Sequence, residues 1–250
     1  MDVIITGISG HLGNLLRQSK IINFIELPKN STRNSNFMNF EVEKILVENN
    51  YLIHAAWNME SRNLETSYEI NVKGSLNLIE KLENLKFDFS KFIFISTINA
   101  NHNSKSVYEN HKYAIEKIIL EKGGYVIKPG LVYDKKDPFS GGFIKNLYTL
   151  ASKYPFLPNF TAEREIYYLA SSEKILEIVE QIIKNEKLTS REFKIFDIGP
   201  LNYKSLVNNF MNLNKAIINI PWLVGFMAAR FFEILKINFP VKSDSLMALK

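Results

Sequence analysis

The tightest constraint on the fold sits in the first thirteen residues. A short apolar run, 3–6, passes directly into Thr6-Gly7-Ile8-Ser9-Gly10-His11-Leu12-Gly13, and a helical pattern over 12–19 follows. Three glycines therefore stand at fixed offsets in a strand-to-helix turn. Gly7 lets the chain turn sharply out of the strand. Gly10 leaves no Cβ where a pyrophosphate approaches the main chain, and Gly13 permits close helix–strand packing. Ser9, His11 and Leu12 share the bend with these glycines, where the N–H groups opening the helix face an anion. A glycine triplet alone is a weak signal. One that leaves a strand and opens a helix is in the context that dinucleotide binding requires.

The rest of the chain repeats the strand–helix alternation. Residues 51–56, 92–96, 125–128 and 193–198 read as buried strands, with a further strand around 23–27. Residues 67–82, 108–120 and 173–184 carry apolar positions at helical spacing. Such alternation implies βαβ crossovers and an α/β fold, a Rossmann-type doubly wound parallel sheet with helices on both faces. Pro129-Gly130 and the Pro/Gly cluster at 138–142 mark a handover. The expected division is a nucleotide-binding core over 1–135, rejoined by 170–200, and a small substrate-binding region from 136–169 and 201–250. Residues 221–235, PWLVGFMAARFFEIL, read as a buried C-terminal helix, with a membrane-surface or partner-binding face as the alternative.

Composition closes off several functions. The chain has 250 residues, 46% apolar, which is ample for a core and excludes intrinsic disorder. It has no cysteine, which excludes disulfide scaffolds and thiolate zinc sites. The four histidines, His11, His54, His102 and His111, lack the tight spacing of a metal site, so no metal is expected. The net charge of +5 is dispersed, which suits anionic small ligands and gives no nucleic-acid footprint. No apolar stretch reaches the length of a membrane span and no basic leader opens the chain. A cytoplasmic protein is the expectation.

Tyr108 and Lys112 stand at i and i+4, on one face of a helix. A nearby ammonium lowers a phenol's pKa and lets it exchange protons near neutral pH. Upstream, 92–97 reads FIFIST, a buried strand ending in hydroxyls at the carboxyl edge, where α/β ligands bind. Thr97 could hold a substrate oxygen while Tyr108 handles its proton. Tyr113 and Lys117 repeat the spacing, so the pair by itself does not choose a register. Cofactor choice also stays open: Glu26 suits ribose hydroxyls, whereas Lys29 and Arg33 suit the 2′-phosphate of NADP, and the balance leans slightly to NADP.

Together TGISGHLG at 6–13, IHAAW at 53–57, NVKGSLNLIE at 71–80, FIFIST at 92–97, YENHKYAIE at 108–116 and VIKPGLVY at 126–133 resemble the extended short-chain dehydrogenase/reductase superfamily, in its branch of NAD(P)-dependent nucleotide-sugar epimerases and dehydratases. The resemblance implies a catalytic set of Thr97, Tyr108 and Lys112, with Lys112 also holding the nicotinamide ribose. It implies that His54, Ala55 and Ala56 line the cofactor cleft, that Asn71 lies on a bracing helix, and that Lys128 and Pro129 flank the nicotinamide. Its YxxxKxxxE pattern selects Tyr108, Lys112 and Glu116 over the second register. The implied activity is hydride transfer on a nucleotide sugar, with bound NAD or NADP, as an epimerase or keto-sugar reductase before a dehydratase. A nonenzymatic NAD(P)-binding sensor or assembly protein, and a small-carbonyl reductase, are the alternatives. Dimers in that superfamily form through the Tyr/Lys helix and the one before it. The helices at 67–82 and 108–120 match these, although their apolar stripes fit packing on their own sheet equally well. Asp134 replaces the glycine usual after the LVY tyrosine, and 167–174 reads YYLASSEK where relatives place an aspartate after a strand.

Overall fold

The structure is a computed structural model that describes residues 2–27, 42, 50–59, 64–161, 166–184, 188–235, 237 and 241–249. The chain runs β1 (Asp2–Thr6), α1 (His11–Leu16), β2 (Asn23–Glu26), β3 (Tyr51–His54), α2 (Leu64–Ser67), a π-helical turn (Tyr68–Lys73), α3 (Gly74–Asn84), β4 (Phe92–Ile95), α4 (Val107–Glu121), β5 (Tyr125–Pro129) and β6 (Leu131–Tyr133). There follow α5 (Gly142–Lys153), β7 (Phe156–Thr161), β8 (Tyr167–Ser171), α6 (Ser172–Ile183), β9 (Glu192–Ile195), β10 (Ile198–Leu201), α7 (Tyr203–Ser205), a second π-helical turn (Leu206–Phe210), β11 (Ala216–Pro221), α8 (Trp222–Ile234) and α9 (Ser243–Met247).

Six strands form one parallel sheet in the order β2-β1-β3-β4-β5-β9. The central strands are buried on both faces, as the apolar runs Val3–Ile5, Leu52–Ile53 and Phe92–Ile95 require. On one face Val3, Ile5, Ile53 and Ile93 pack with Ile175, Val179 and Ile182 of α6. On the other, Ile4, Leu52, Phe92 and Phe94 pack with α3 and α4 through Leu78, Leu82, Ile115 and Ile119. Helices therefore cover both faces, and the chain has the doubly wound α/β fold. A three-stranded sheet, β10-β8-β6, and a parallel pair, β11-β7, build a second cluster around Leu147, Leu157, Leu169 and Leu206.

Three elements depart from the expectation. The first helix ends at Leu16, short of residue 19, and the Ser19 hydroxyl accepts from the N–H groups of Ile21 and Ile22 in the turn beyond it. The run 193–198 is two strands, because the chain leaves the main sheet after Ile195 and re-enters in the small sheet at Ile198. The helix expected at 221–235 is α8, and it buries only one side: Gly225 and Ala229 face inward, whereas Met227, Phe231 and Ile234 are exposed.

Gly13 carries the strand–helix contact. A Cβ there would lie 2.5 Å from Ile8 Cα and still closer to the Gly7 carbonyl oxygen. Helix propensity favours alanine over glycine by about 1 kcal/mol. Overpacking against rigid backbone costs about 1–3 kcal/mol, so the clash decides the sign. Gly13→Ala should lower the urea midpoint, and an unchanged or raised midpoint would refute this packing.

Candidate active site

The crevice at the carboxyl ends of β1, β3 and β4 is built from main chain held very close together. Gly7 has φ +77°, and a Cβ on it would sit 2.5 Å from Ala56 Cα and 2.6 Å from Ala56 N. Gly7 therefore supplies both a left-handed turn and room for the neighbouring loop. The Gly10 N–H donates to Gly7 O (3.0 Å), and Asn14 Nδ2 donates to Ser9 O (3.2 Å). Gly10 is exposed, and among the described residues only Gly7 O comes within 4 Å of the position its Cβ would take, at 3.2 Å.

Below the loop runs a buried relay of hydrogen bonds. The Ala56 N–H donates to Thr6 Oγ1 (3.2 Å), which lies 2.7 Å from His54 Nδ1; His54 Nε2 lies 2.9 Å from Ser75 Oγ, which donates to Asn71 O (2.6 Å). Ser75 spends its one proton on Asn71, so His54 must donate from Nε2 and accept at Nδ1 from Thr6. Burial, with the Lys112 charge nearby, lowers the His54 pKa to about 3, and the ring is neutral. Asn71 in turn accepts from Asn58 N (2.7 Å) and donates to Asn58 O (3.0 Å). His54 is thus wholly enclosed, and its ring holds the Ala55–Asn58 loop in place from beneath, so of the three residues expected to line the cleft, His54, Ala55 and Ala56, the first lies under the loop of the other two.

The Thr97 end of β4 is fixed from both sides. Ser96 N donates to Ile127 O (2.8 Å) and Ile98 N to Pro129 O (2.9 Å), which leaves Thr97 half-exposed between them. Lys112 Nζ donates to Ile95 O (2.7 Å) and lies 3.9 Å from the Trp57 ring centroid and 4.7 Å from that of Phe94. Tyr108 meets Trp57 edge-on at 6.1 Å. Tyr108, Lys112, Trp57 and the end of β4 therefore converge. In the second register Lys117 is exposed, so only the Tyr108 register presents a buried lysine to the sheet.

The electrostatics correct one expectation. Burial, reinforced by Glu109 and Glu116, pushes the Tyr108 phenol above its ordinary value instead of lowering it. Burial also brings Lys112 down to about 7. Its ammonium is directed to the Ile95 carbonyl and the Trp57 ring.

Lys128 also has a place other than the one expected. Its ammonium donates to Ala100 O (2.7 Å) and Glu116 Oε2 (2.7 Å), lies 3.2 Å from Glu192 Oε1, and is almost fully buried. Ser96 Oγ donates to the other oxygen of Glu116. Burial raises the Glu116 pKa against the pull of these partners. Lys128 thus ties β5 to α4 and to the loop after Thr97, beneath the crevice, while Pro129 contributes its carbonyl to Ile98.

His11 packs on Gly141, where a Cβ would overlap its ring, and its buried Nε2 has no partner among the described residues. Burial lowers its pKa, opposed by the Val132 carbonyl and Asp134. Leu12 packs against the core face of the sheet. Asp134 accepts from Gln18 Nε2 (3.4 Å) and Lys136 N (2.8 Å), which joins the end of α1 to the chain after β6. Glu26 is the last residue of β2, and with Arg17 and Ile8 it lines a cavity of about 490 Å³. Lys29 and Arg33 lie outside the described residues.

Two contributors escaped the sequence reading. Trp57 is in the IHAAW run, yet nothing in its spacing says that it shields Lys112. Asp244 lies 136 residues beyond Tyr108, and its carboxylate accepts from Ser106 Oγ (2.9 Å), Val107 N (2.7 Å) and Tyr108 N (3.2 Å). A negative charge at the start of α4 satisfies N–H groups that have no helical partner. No local sequence signal marks a cap supplied from so far away.

A dTDP-4-dehydrorhamnose reductase from Bacillus anthracis, crystallised with NADP, superposes with a TM-score of 0.67 at 15% identity, over 99% of this chain and 97% of that one. The chain shares the fold of that reductase, a parallel sheet with helices on both faces. A UDP-glucose 4-epimerase from Thermotoga maritima, crystallised with UDP-glucose, superposes with a TM-score of 0.64 at 18% identity, over 88% of this chain and 86% of that one. No protein-family model matches the chain. In sequence it is 26% identical over 147 residues to the mitochondrial NADH dehydrogenase [ubiquinone] 1 alpha subcomplex subunit 9 of Dictyostelium discoideum. The match takes in 56% of this chain and 38% of that protein, so it spans well under half of the relative's length.

His54 sets a pH dependence. Its folded pKa of about 3 lies below the unfolded value of 6.5, so the unfolded chain binds the extra proton. The stability it supports is complete above pH 6.5 and is lost as pH falls from there towards 3. Urea midpoints should decline over that interval, and His54→Asn should flatten the decline. An equally steep decline in the variant would reject the neutral, enclosed imidazole.

Proposed function

We propose that the crevice binds NAD or NADP and that the chain is an oxidoreductase or epimerase acting on a nucleotide sugar. The observation that carries this reading is the meeting of two main-chain turns at Gly7 and Ala56, with the Tyr108/Lys112 face of α4 docked on the same strand ends. The fit to a dinucleotide rests on two features: the exposed Gly10, where no side chain covers the loop's main chain, and the buried Nε2 of His11, which has no partner among the described residues. In this reading Ser9, Gly10, His11, Leu12 and Gly13 hold the diphosphate, and Ala55 and Ala56 line the opposite wall. Glu26 suits ribose hydroxyls and Arg17 a 2′-phosphate, so the cavity they share admits either dinucleotide. The nicotinamide, when bound, supplies or accepts the hydride.

Thr97 offers its hydroxyl to the reacting oxygen, and Tyr108 exchanges a proton with that oxygen. Lys112, held to the Ile95 carbonyl at the strand end, holds the nicotinamide ribose. Trp57 and Phe94 keep water from the ammonium. The nucleotide-sugar class is supported by the likeness to a dTDP-4-dehydrorhamnose reductase and a UDP-glucose 4-epimerase, which share the fold across most of their length. The substrate would lie between the main sheet and the region formed by 136–169 and 201–250.

A second reading is a dinucleotide-binding subunit without turnover. The raised phenol of Tyr108 favours it, as does likeness to a protein named as an NADH dehydrogenase subunit.

Calorimetric titration with NADH and NADPH should give saturable binding that Gly10→Val abolishes. Tyr108→Phe should keep that affinity and lower turnover of UDP- or dTDP-linked sugars by about 10²–10⁴-fold. Binding unaffected by Gly10→Val would refute the crevice. Binding with no turnover in the unaltered chain would select the second reading.

A further inference from the structure

The C-terminal tail reaches both walls of the crevice between Lys242 and Asp244. Lys242 Nζ donates to Met59 O (2.5 Å), just past the Ala55–Asn58 loop. Asp244 sits at the start of α4, on Val107 and Tyr108. Between them Ser243 is buried, and its N–H (2.8 Å) and hydroxyl (2.7 Å) both donate to Glu233 of α8. Trp222 Nε1 donates to Leu246 O (2.6 Å), which holds α9 to the same helix. The tail is thus tied to α8, to the loop after β3 and to α4.

The contact with α4 takes up the open hydrogen-bonding groups at the start of that helix. The N–H groups of Val107, Tyr108 and Glu109 have no carbonyl ahead of them in the helix. Asp244 Oδ1 accepts from Val107 N (2.7 Å) and Oδ2 from Tyr108 N (3.2 Å). Glu109 N donates to the Ser106 hydroxyl at 3.4 Å, and that hydroxyl itself donates to Asp244 Oδ2 (2.9 Å). The local cap is therefore oriented by the distant carboxylate. One turn later the helix has an anchor of its own, where Lys112 Nζ donates to Ile95 O (2.7 Å). Loss of Asp244 frees the turn that carries Tyr108 and leaves Lys112 on the sheet. We infer that Asp244 is a positioning residue for Tyr108: its carboxylate, brought in by the tail, fixes the turn from which the phenol reaches the crevice. The inference rests on the reading of Tyr108 as the group that exchanges a proton with the substrate. It gives the 201–250 region a part in that proton transfer.

Asp244→Asn and Asp244→Ala in the full chain test it, with UDP-glucose and dTDP-4-dehydrorhamnose as the sugars and calorimetry for NADH and NADPH. Asp244→Asn keeps the shape of the side chain, and it carries the test where Asp244→Ala melts below the assay temperature. Displacing a reacting group by about 1 Å costs up to about 10²-fold, so kcat should fall by about 10–100-fold in Asp244→Asn and further in Asp244→Ala. KM and dinucleotide affinity should stay within about twofold, because the glycine loop and Lys112 keep their contacts. Amide exchange at 107–109 should quicken, with 7–13 unchanged. Adding Ser106→Asp to Asp244→Ala puts a carboxylate at the N-cap itself, where it can accept from Tyr108 N or Glu109 N, and should restore part of the lost kcat. A tail that served only to hold the fold together would not be rescued from that position. An unchanged kcat in both Asp244 variants overturns the inference and leaves the proposed activity standing. Equal losses of kcat and dinucleotide affinity overturn it, as does a kcat that stays low once Ser106→Asp has returned exchange at 107–109 to normal. An unaltered chain that turns over neither sugar overturns the enzymatic reading and this inference together.

Discussion

The relay from Ala56 through Thr6, His54 and Ser75 to Asn71 is the interaction on which the rest of the structure depends. It runs across β1 and β3 and into the π-helical turn, with every member buried or nearly so. Each hydrogen-bonding group inside it would cost about 1–3 kcal/mol if left unpaired, so the relay accepts little variation. Its consequence is geometric. It fixes the loop after β3 at the distance that only a glycine at position 7 allows, and so sets the width of the crevice.

A second buried network fixes the other wall. Glu116, Lys128 and Ser96 bind one another, while Lys112 donates to the carbonyl of Ile95. Three charged side chains of α4 and β5 are thereby held beneath Thr97. Pairing offsets the desolvation of Lys128 and Glu116, whereas Lys112 meets a carbonyl and two aromatic faces, and its pKa falls. The long-range cap from Asp244 sets the first turn of α4 and with it the start of Tyr108. Through Ser243, Glu233 and Leu246 the same tail is bound to α8, so the α8–α9 unit and the Tyr108 helix are mechanically joined.

Much of this was legible in the sequence, and the reasons are local. The strand-to-helix glycine turn, the apolar strands and the Tyr108/Lys112 spacing depend on neighbours within a few residues. The roles of His54 and Lys128 were not legible, because a motif places a residue at a strand end without saying which way its side chain goes. Burial decided that direction. His54 turned under the loop, and Lys128 turned towards Glu116 and Ala100. The direction of the Tyr108 shift was misjudged for the same reason, since i,i+4 spacing says nothing of how deeply the phenol is buried. For the helix at 221–235 the sequence leaves a buried helix and an exposed apolar face open, because an apolar helix carries no sign of where the chain stops covering it.

Hydrogen–deuterium exchange, with and without NADH or NADPH, tests the central claim most directly. The account predicts slowed exchange on dinucleotide addition at residues 7–13 and 54–58, with the strand end at 96–100 following. No change in those segments, or protection confined to another part of the surface, would contradict it.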